Sequence, residues 1–152
     1  MNLRRRGFTL IELLTVVVIL GLLSSLAVLK YIDLTRTAYT AKIVGEFLAV
    51  RLAAYNFEAD HNNHWPADEA PGVVPPEMAA YLPGNFSFVA PTYVLDWDNL
   101  SPDNTPYQLA ISVTTNDARL QNALVQNLGH RAPYFFAGNR LTYVLVDAHG
   151  NY

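Results

Sequence analysis

Hydrophobic and polar positions divide this chain into two regimes. From Phe8 to Leu29 the sequence is apolar or small, and Glu12 is the single ionisable residue of the run. As a helix those 22 residues would measure about 33 Å, against a hydrocarbon core of about 30 Å. From Lys30 to Asn62 the pattern turns amphipathic. Ile43, Phe47, Val50, Ala54 and Phe57 recur at i, i+4, i+7, i+11 and i+14, Val44, Leu48, Leu52 and Tyr55 widen the stripe, and Lys42, Glu46, Asn56 and Asp60 fall on the other side. That spacing predicts a helix with one face for a core and one for water. No proline interrupts Phe8 to Trp65, so the pattern predicts one helix from Phe8 to about Asp60, roughly 80 Å long. Two helices broken near Asp33 to Thr37 are the alternative. A chain of this size cannot bury such a helix along its whole length. The first half belongs in a membrane or a bundle of like helices, and the second half packs on something downstream.

The remainder changes period. His61 to Pro83 is a connector holding Pro66, Pro71, Pro75, Pro76 and Pro83 with Gly72. Residues 76–82 predict a short helix with Pro76 in its first turn. Asn85 to Trp97 reads as strand broken at Pro91, Asp98 to Pro106 as a polar loop, and Tyr107 to Thr114 as a second strand. Asn116 to Leu128 is a helix candidate, capped by Asn116 or Thr115 and stopped by Gly129. Tyr134 to Ala137, a Gly138-Asn139 turn and Arg140 to Val146 read as a hairpin, and Asp147 to Tyr152 as a turn-like tail. The expected fold class is α+β: a long N-terminal helix, transmembrane in its first half and amphipathic in its second, packed on a small antiparallel sheet of three to five strands. The expected divisions are residues 1–7, 8–30, 31–62 and a globular head at 63–152. About ninety residues are marginal for an independent core, and packing the sheet on the apolar face of residues 43–57 remedies that.

Composition sharpens two points. The chain is 51% hydrophobic and has no cysteine, so disulfides and thiolate metal sites are excluded. The net charge of −3 hides an asymmetry, because Arg4, Arg5 and Arg6 supply positive charge at the extreme N-terminus. That charge keeps the N-terminus cytoplasmic. The acidic remainder is a poor nucleic-acid binder. Three readings then compete for the apolar run. It is a secretory signal cut after Ser25-Leu26-Ala27, a plain anchor with Glu12 near the interface, or a segment whose glutamate has a designated partner.

Gly7-Phe8-Thr9-Leu10-Ile11-Glu12 closely resembles the processing motif of type IV pilins and type II secretion pseudopilins. The resemblance covers about 25 residues, Arg5 to roughly Tyr31, and implies several things. A prepilin peptidase cuts between Gly7 and Phe8, removing residues 1–7, and methylates the new amine of Phe8. Glu12 pairs with the N-terminal amine of a neighbouring subunit during assembly. Residues 8–30 then form a filament core. The implied partners are other pilins or pseudopilins in a homo- or hetero-polymer, the peptidase and an inner-membrane assembly platform. The implied course runs from the inner membrane, with the C-terminal domain periplasmic, to a periplasmic or extracellular filament. The implied role is structural, not enzymatic. One departure is Leu29, where many members carry a kinking proline. The alternative is a periplasmic binding protein or enzyme on a pilin-like anchor.

Other constellations are weaker. Asp60, His61 and His64 could ligate zinc, although a solvated helix end is the plainer reading. Asp96, Asp98, Asn99 and Asp103 could offer oxygen ligands to calcium, although the expected cofactor complement is none. An EF-hand would need an oxygen ligand at Leu100. Asp96-Trp97-Asp98-Asn99 followed by Pro106-Tyr107 loosely resembles the Asp-Pro-Trp-Gly-Asn-Pro-Tyr loop near a calcium site of major pseudopilins, with an insertion. The pair Asp96 and Asp98 could also be imagined as acid and base. No nucleophile elbow or phosphate-binding glycine loop occurs. Asn85-Phe86-Ser87 matches a glycosylation sequon, read here as chance.

Overall fold

The computed structural model describes residues 7–100, 107–129, 133–147 and 149. Residues 1–6, Asp103, Pro106 and most of the expected tail lie outside the described residues. Contacts divide the chain into two units, Met1–Thr37 and Ala38–Tyr152. Helix α1 runs Leu10–Asp60 without interruption, so the break considered near Asp33 to Thr37 is absent.

The first unit is helix surface. It carries the one helix among the described residues that is long and apolar enough to cross a membrane. Its large apolar side chains, from Phe8 to Leu34, are exposed. The hydroxyls of Thr15 and Ser25 donate back to Ile11 O and Leu22 O at 2.8 and 2.7 Å. Such back-bonding satisfies these hydroxyls within the helix itself, which removes polarity from a surface suited to lipid or to like helices.

In the second unit α1 buries Thr40, Ile43, Phe47, Val50, Ala53, Ala54 and Phe57. Leu48 and Leu52, expected to widen that stripe, remain 59% and 61% exposed. The reason is angular: at about 100° per residue each lies roughly 160° around the helix from Val50. The buried stripe faces a four-stranded antiparallel sheet of order β1-β2-β4-β3. Its strands are β1 (Val94–Asn99), β2 (Tyr107–Thr114), β3 (Tyr134–Ala137) and β4 (Arg140–Asp147), and α2 (Ala118–Leu128) lies between β2 and β3 in sequence. Leu95 pairs with Val113 and Trp97 with Ile111, and Val113 and Ile111 pair onward with Leu141 and Tyr143. This face and the α1 stripe form one apolar cluster, with Phe47 stacked on Tyr143 at 6.1 Å. Polar contacts fix the register of α1. Tyr93 donates to Glu46 at 2.7 Å and Tyr81 to Asp60 at 2.8 Å. Burial, and then Glu46, push the Tyr93 phenol above its ordinary range.

Local expectations need four corrections. The segment before Tyr93 is mostly irregular, with one isolated bridge between Val89 and Val94, and the strand begins at Val94. It continues through Asp98 and Asn99, which had read as loop, because their polar groups find partners there. The short helix shrinks to a 3₁₀ turn, Ala79–Tyr81. The cap of α2 is Asp117, which accepts from Arg119 N and Leu120 N; Gly129 ends the helix as expected, its N–H donating to Val125 O at 3.0 Å.

The connector also does more than link. It buries Met78 and Leu82 and, with the irregular segment that holds the buried Phe88, covers the outer edge of β1, where Gly72 N donates to Leu95 O and Leu95 N to Phe88 O. Gly72 sits at φ +87°, and an added Cβ would meet Val89 Cγ2 at 3.0 Å and Val94 Cγ1 at 3.3 Å. Gly72→Ala is therefore expected to destabilise the protein by roughly 1–3 kcal/mol. The measurement is the denaturant midpoint, which should fall at unchanged m.

Candidate functional site

The site grows out of the start of α1. Gly7 and Phe8 precede the helix and are exposed, so the Gly7–Phe8 bond expected to be cut lies outside helical structure. Thr9 follows as the capping residue. Its hydroxyl accepts from Glu12 N at 3.3 Å, and the Glu12 carboxylate reaches back to accept from Thr9 N at 2.9 Å and Thr9 Oγ1 at 2.7 Å. This reciprocal Thr-x-x-Glu arrangement is a capping box. It explains why the helix begins at Leu10 and not at Phe8. It also places a negative charge at the positive end of the helix dipole. Phe8, Ile11, Thr15 and Val16 border Glu12 in an open groove of about 320 Å³. Glu12 is thus the one charged group on an otherwise apolar surface, and it is already oriented within its own chain.

Residues 2–28 match the family model of the prokaryotic N-terminal methylation motif. Over 51 residues the chain is 47% identical to the type IV narrow pilus major component PilA5 of Thermus thermophilus, covering 34% of this chain and 44% of that one. Over 66 residues it is 38% identical to the type II secretion system core protein G of Pectobacterium carotovorum, covering 43% and 42%. Over 50 residues it is 42% identical to a fimbrial protein of Pseudomonas aeruginosa, covering 33% and 32%. The N-terminal segment carries that motif and is similar to the matching segments of these pilus, secretion-system and fimbrial proteins. The chain spans less than half the length of these curated relatives, and no solved structure matches it. The segment that carries the motif holds Gly7, Phe8 and Glu12, and it leads into the long helix that accompanies the small antiparallel sheet.

Away from that segment, the second cluster singled out in the sequence is a charge network. Asp96 and Asp98 share one face of β1, opposite Ser112 and Ala110. Arg140, at the start of β4, reaches both. Its Nη2 lies 2.6 Å from each Asp98 oxygen, 2.9 Å from Asp96 Oδ2 and 2.8 Å from Ser112 Oγ. Ser112 in turn donates to Asp98 at 2.6 Å. The Arg140 guanidinium is thus shared between the two carboxylates. Asp103, the remaining carboxylate of the calcium expectation, lies outside the described residues. Among the described residues no three His, Asp or Glu side chains gather in a metal-binding group. Asp60, His61 and His64 are each engaged locally: Asp60 accepts from Tyr81, His61 Nδ1 lies 2.9 Å from Phe57 O, and His64 Nδ1 lies 3.1 Å from His61 O.

The network is unbalanced. Asp96 is 5% exposed, and its Oδ1 is buried without a hydrogen-bond partner. Burial first, and the Asp98 charge second, push its carboxyl up to about 6 from 3.8, against the pull of Arg140. A carboxyl whose folded pKa exceeds its unfolded value binds protons more tightly in the fold. Its penalty is full above about pH 6, and stability rises as pH falls from there to about 4, by about 3 kcal/mol. Asp96→Asn should stabilise the protein at pH 7.5 and flatten that rise, because it removes the charge without orphaning a further atom. Melting temperatures of both proteins between pH 7.5 and 4.5 check this. Parallel curves would refute the assignment to Asp96.

Proposed function

We propose that this chain is a structural subunit of a type IV pilus-like filament or a type II secretion pseudopilus. One observation carries the reading: the N-terminal methylation motif with Glu12 as the sole ionisable residue of the apolar run. A prepilin peptidase cuts after Gly7 and methylates the amine of Phe8. The first half of α1 holds the chain in the inner membrane, with the sheet on the periplasmic side. Polymerisation with other pilins or pseudopilins, driven by the assembly platform, transfers that helix from lipid into a bundle of like helices. Glu12 pairs there with the amine of a neighbouring Phe8. The opposite charges attract strongly in low dielectric, and either left alone is penalised. The chain performs no covalent chemistry and is itself the substrate of its processing enzyme.

The relatives' printed names support this reading, since they belong to pili, fimbriae and a secretion system. Mass spectrometry of the membrane-bound protein tests it. The expected species begins at Phe8 and carries the mass of one added methyl group. An intact Met1, or a start at Val28 after a signal-type cut, would overturn it.

A further inference from the structure

The Glu12 carboxylate is held by one of its two oxygens. Oε2 accepts from both the amide and the hydroxyl of Thr9. Oε1 accepts no hydrogen bond among the described residues. The groups involved all lie beyond the Gly7–Phe8 bond, and the Thr9 amide remains a peptide amide once that bond is cut. Processing therefore leaves the arrangement standing. The groove walls around it are Phe8, Ile11 and Val16, and apolar surroundings strengthen a satisfied hydrogen bond.

We propose that Thr9 is the positioning residue of the assembly contact. It fixes Glu12 against its own helix start through Oε2 and presents Oε1 to the amine of the neighbouring subunit. The proposal rests on the reading of Glu12 as the assembly carboxylate. Thr9 does two things for that contact. In the membrane, before assembly, its two hydrogen bonds offset the desolvation of a lone carboxylate. On pairing, the glutamate side chain has already given up the rotamer freedom that a free one would lose. The hydroxyl is the decisive group, since any residue but proline supplies the amide.

The test uses the full-length chain with its peptidase and assembly machinery, co-produced with the parent chain so that low incorporation stays measurable. Variants are Thr9→Ser, Thr9→Val, Glu12→Gln and Thr9→Val with Glu12→Gln. Filament yield is counted per cut chain, from the mass of the membrane-bound subunit, so an effect on cutting is kept apart from one on assembly. Thr9→Ser should assemble within about twofold of the parent, because it keeps both donors. Thr9→Val, nearly the same shape without the hydroxyl, should fall about tenfold. The double variant should be no lower than Glu12→Gln alone. Parental yield from Thr9→Val overturns the proposal, as does a Thr9→Ser that falls as far, or a double variant showing the product of both effects. Parental yield from Glu12→Gln would instead remove the underlying reading of Glu12.

Discussion

Glu12→Ala is expected to be inserted and cut like the parent chain and then to be missing from filaments. The carboxylate it removes is the one side-chain charge in the apolar run from Phe8 to Leu29. In a bundle of such helices, the neighbour's amine would be left without a counter-charge. Leaving one member of a buried pair alone costs about 3–5 kcal/mol, which is more than a hundredfold in incorporation. Alanine also dissolves half of the capping box, worth about 1 kcal/mol at the helix start. Glu12→Gln separates the two effects, because glutamine keeps the box and loses the charge. The measurement is the ratio of sheared-filament to membrane-bound subunit for each variant. A normal ratio for Glu12→Ala would end the assembly role of this residue without touching the fold.

Arg140→Ala should produce the largest loss of stability in the second unit. Asp96 and Asp98 both lie within hydrogen-bonding distance of its Nη2, and both carboxylates are buried. Truncating Arg140 leaves two like charges side by side, both largely buried. The expected cost is about 3–5 kcal/mol at pH 7.5. Part of it should return on acidification, because a proton on Asp96 then relieves the repulsion. Combining Arg140→Ala with Asp96→Asn should cost less than Arg140→Ala alone. Denaturant midpoints at pH 7.5 and 5 measure all of this. A parental midpoint for Arg140→Ala at both values would show that the guanidinium contributes nothing.

Long periodic elements were legible in the sequence, and pairings distant in the chain were not. The helix was visible because no proline stands between Phe8 and Trp65 and because Ile43, Phe47, Val50 and Phe57 keep its period. The β3–β4 hairpin was visible through Gly138-Asn139 between two apolar runs. The role of Arg140 carried no local signal: its carboxylate partner Asp98 lies 42 residues earlier on another strand, and only the register of β1, β2 and β4 brings the network together. That same register turned Asp98 and Asn99 from loop into strand. Thr9 was different. Its spacing to Glu12 is the capping-box signature, and Thr-x-x-Glu before an apolar run would have been sufficient to find it. The error at Leu48 and Leu52 was one of width, since a stripe read from spacing alone has no measured edge.

Those two leucines also separate two kinds of stability within one helix. Phe47 and Val50 are buried in the chain's own core, whereas the nearby Leu48 and Leu52 leave more than half of their surface to solvent. Covering the surface that both still expose would contribute about 2–4 kcal/mol, a gain that only association can supply. Fold and association can therefore be tuned independently at nearby positions. A polar residue at Leu48 or Leu52 leaves the melting temperature nearly untouched, and its whole effect falls on how readily the molecule stays single.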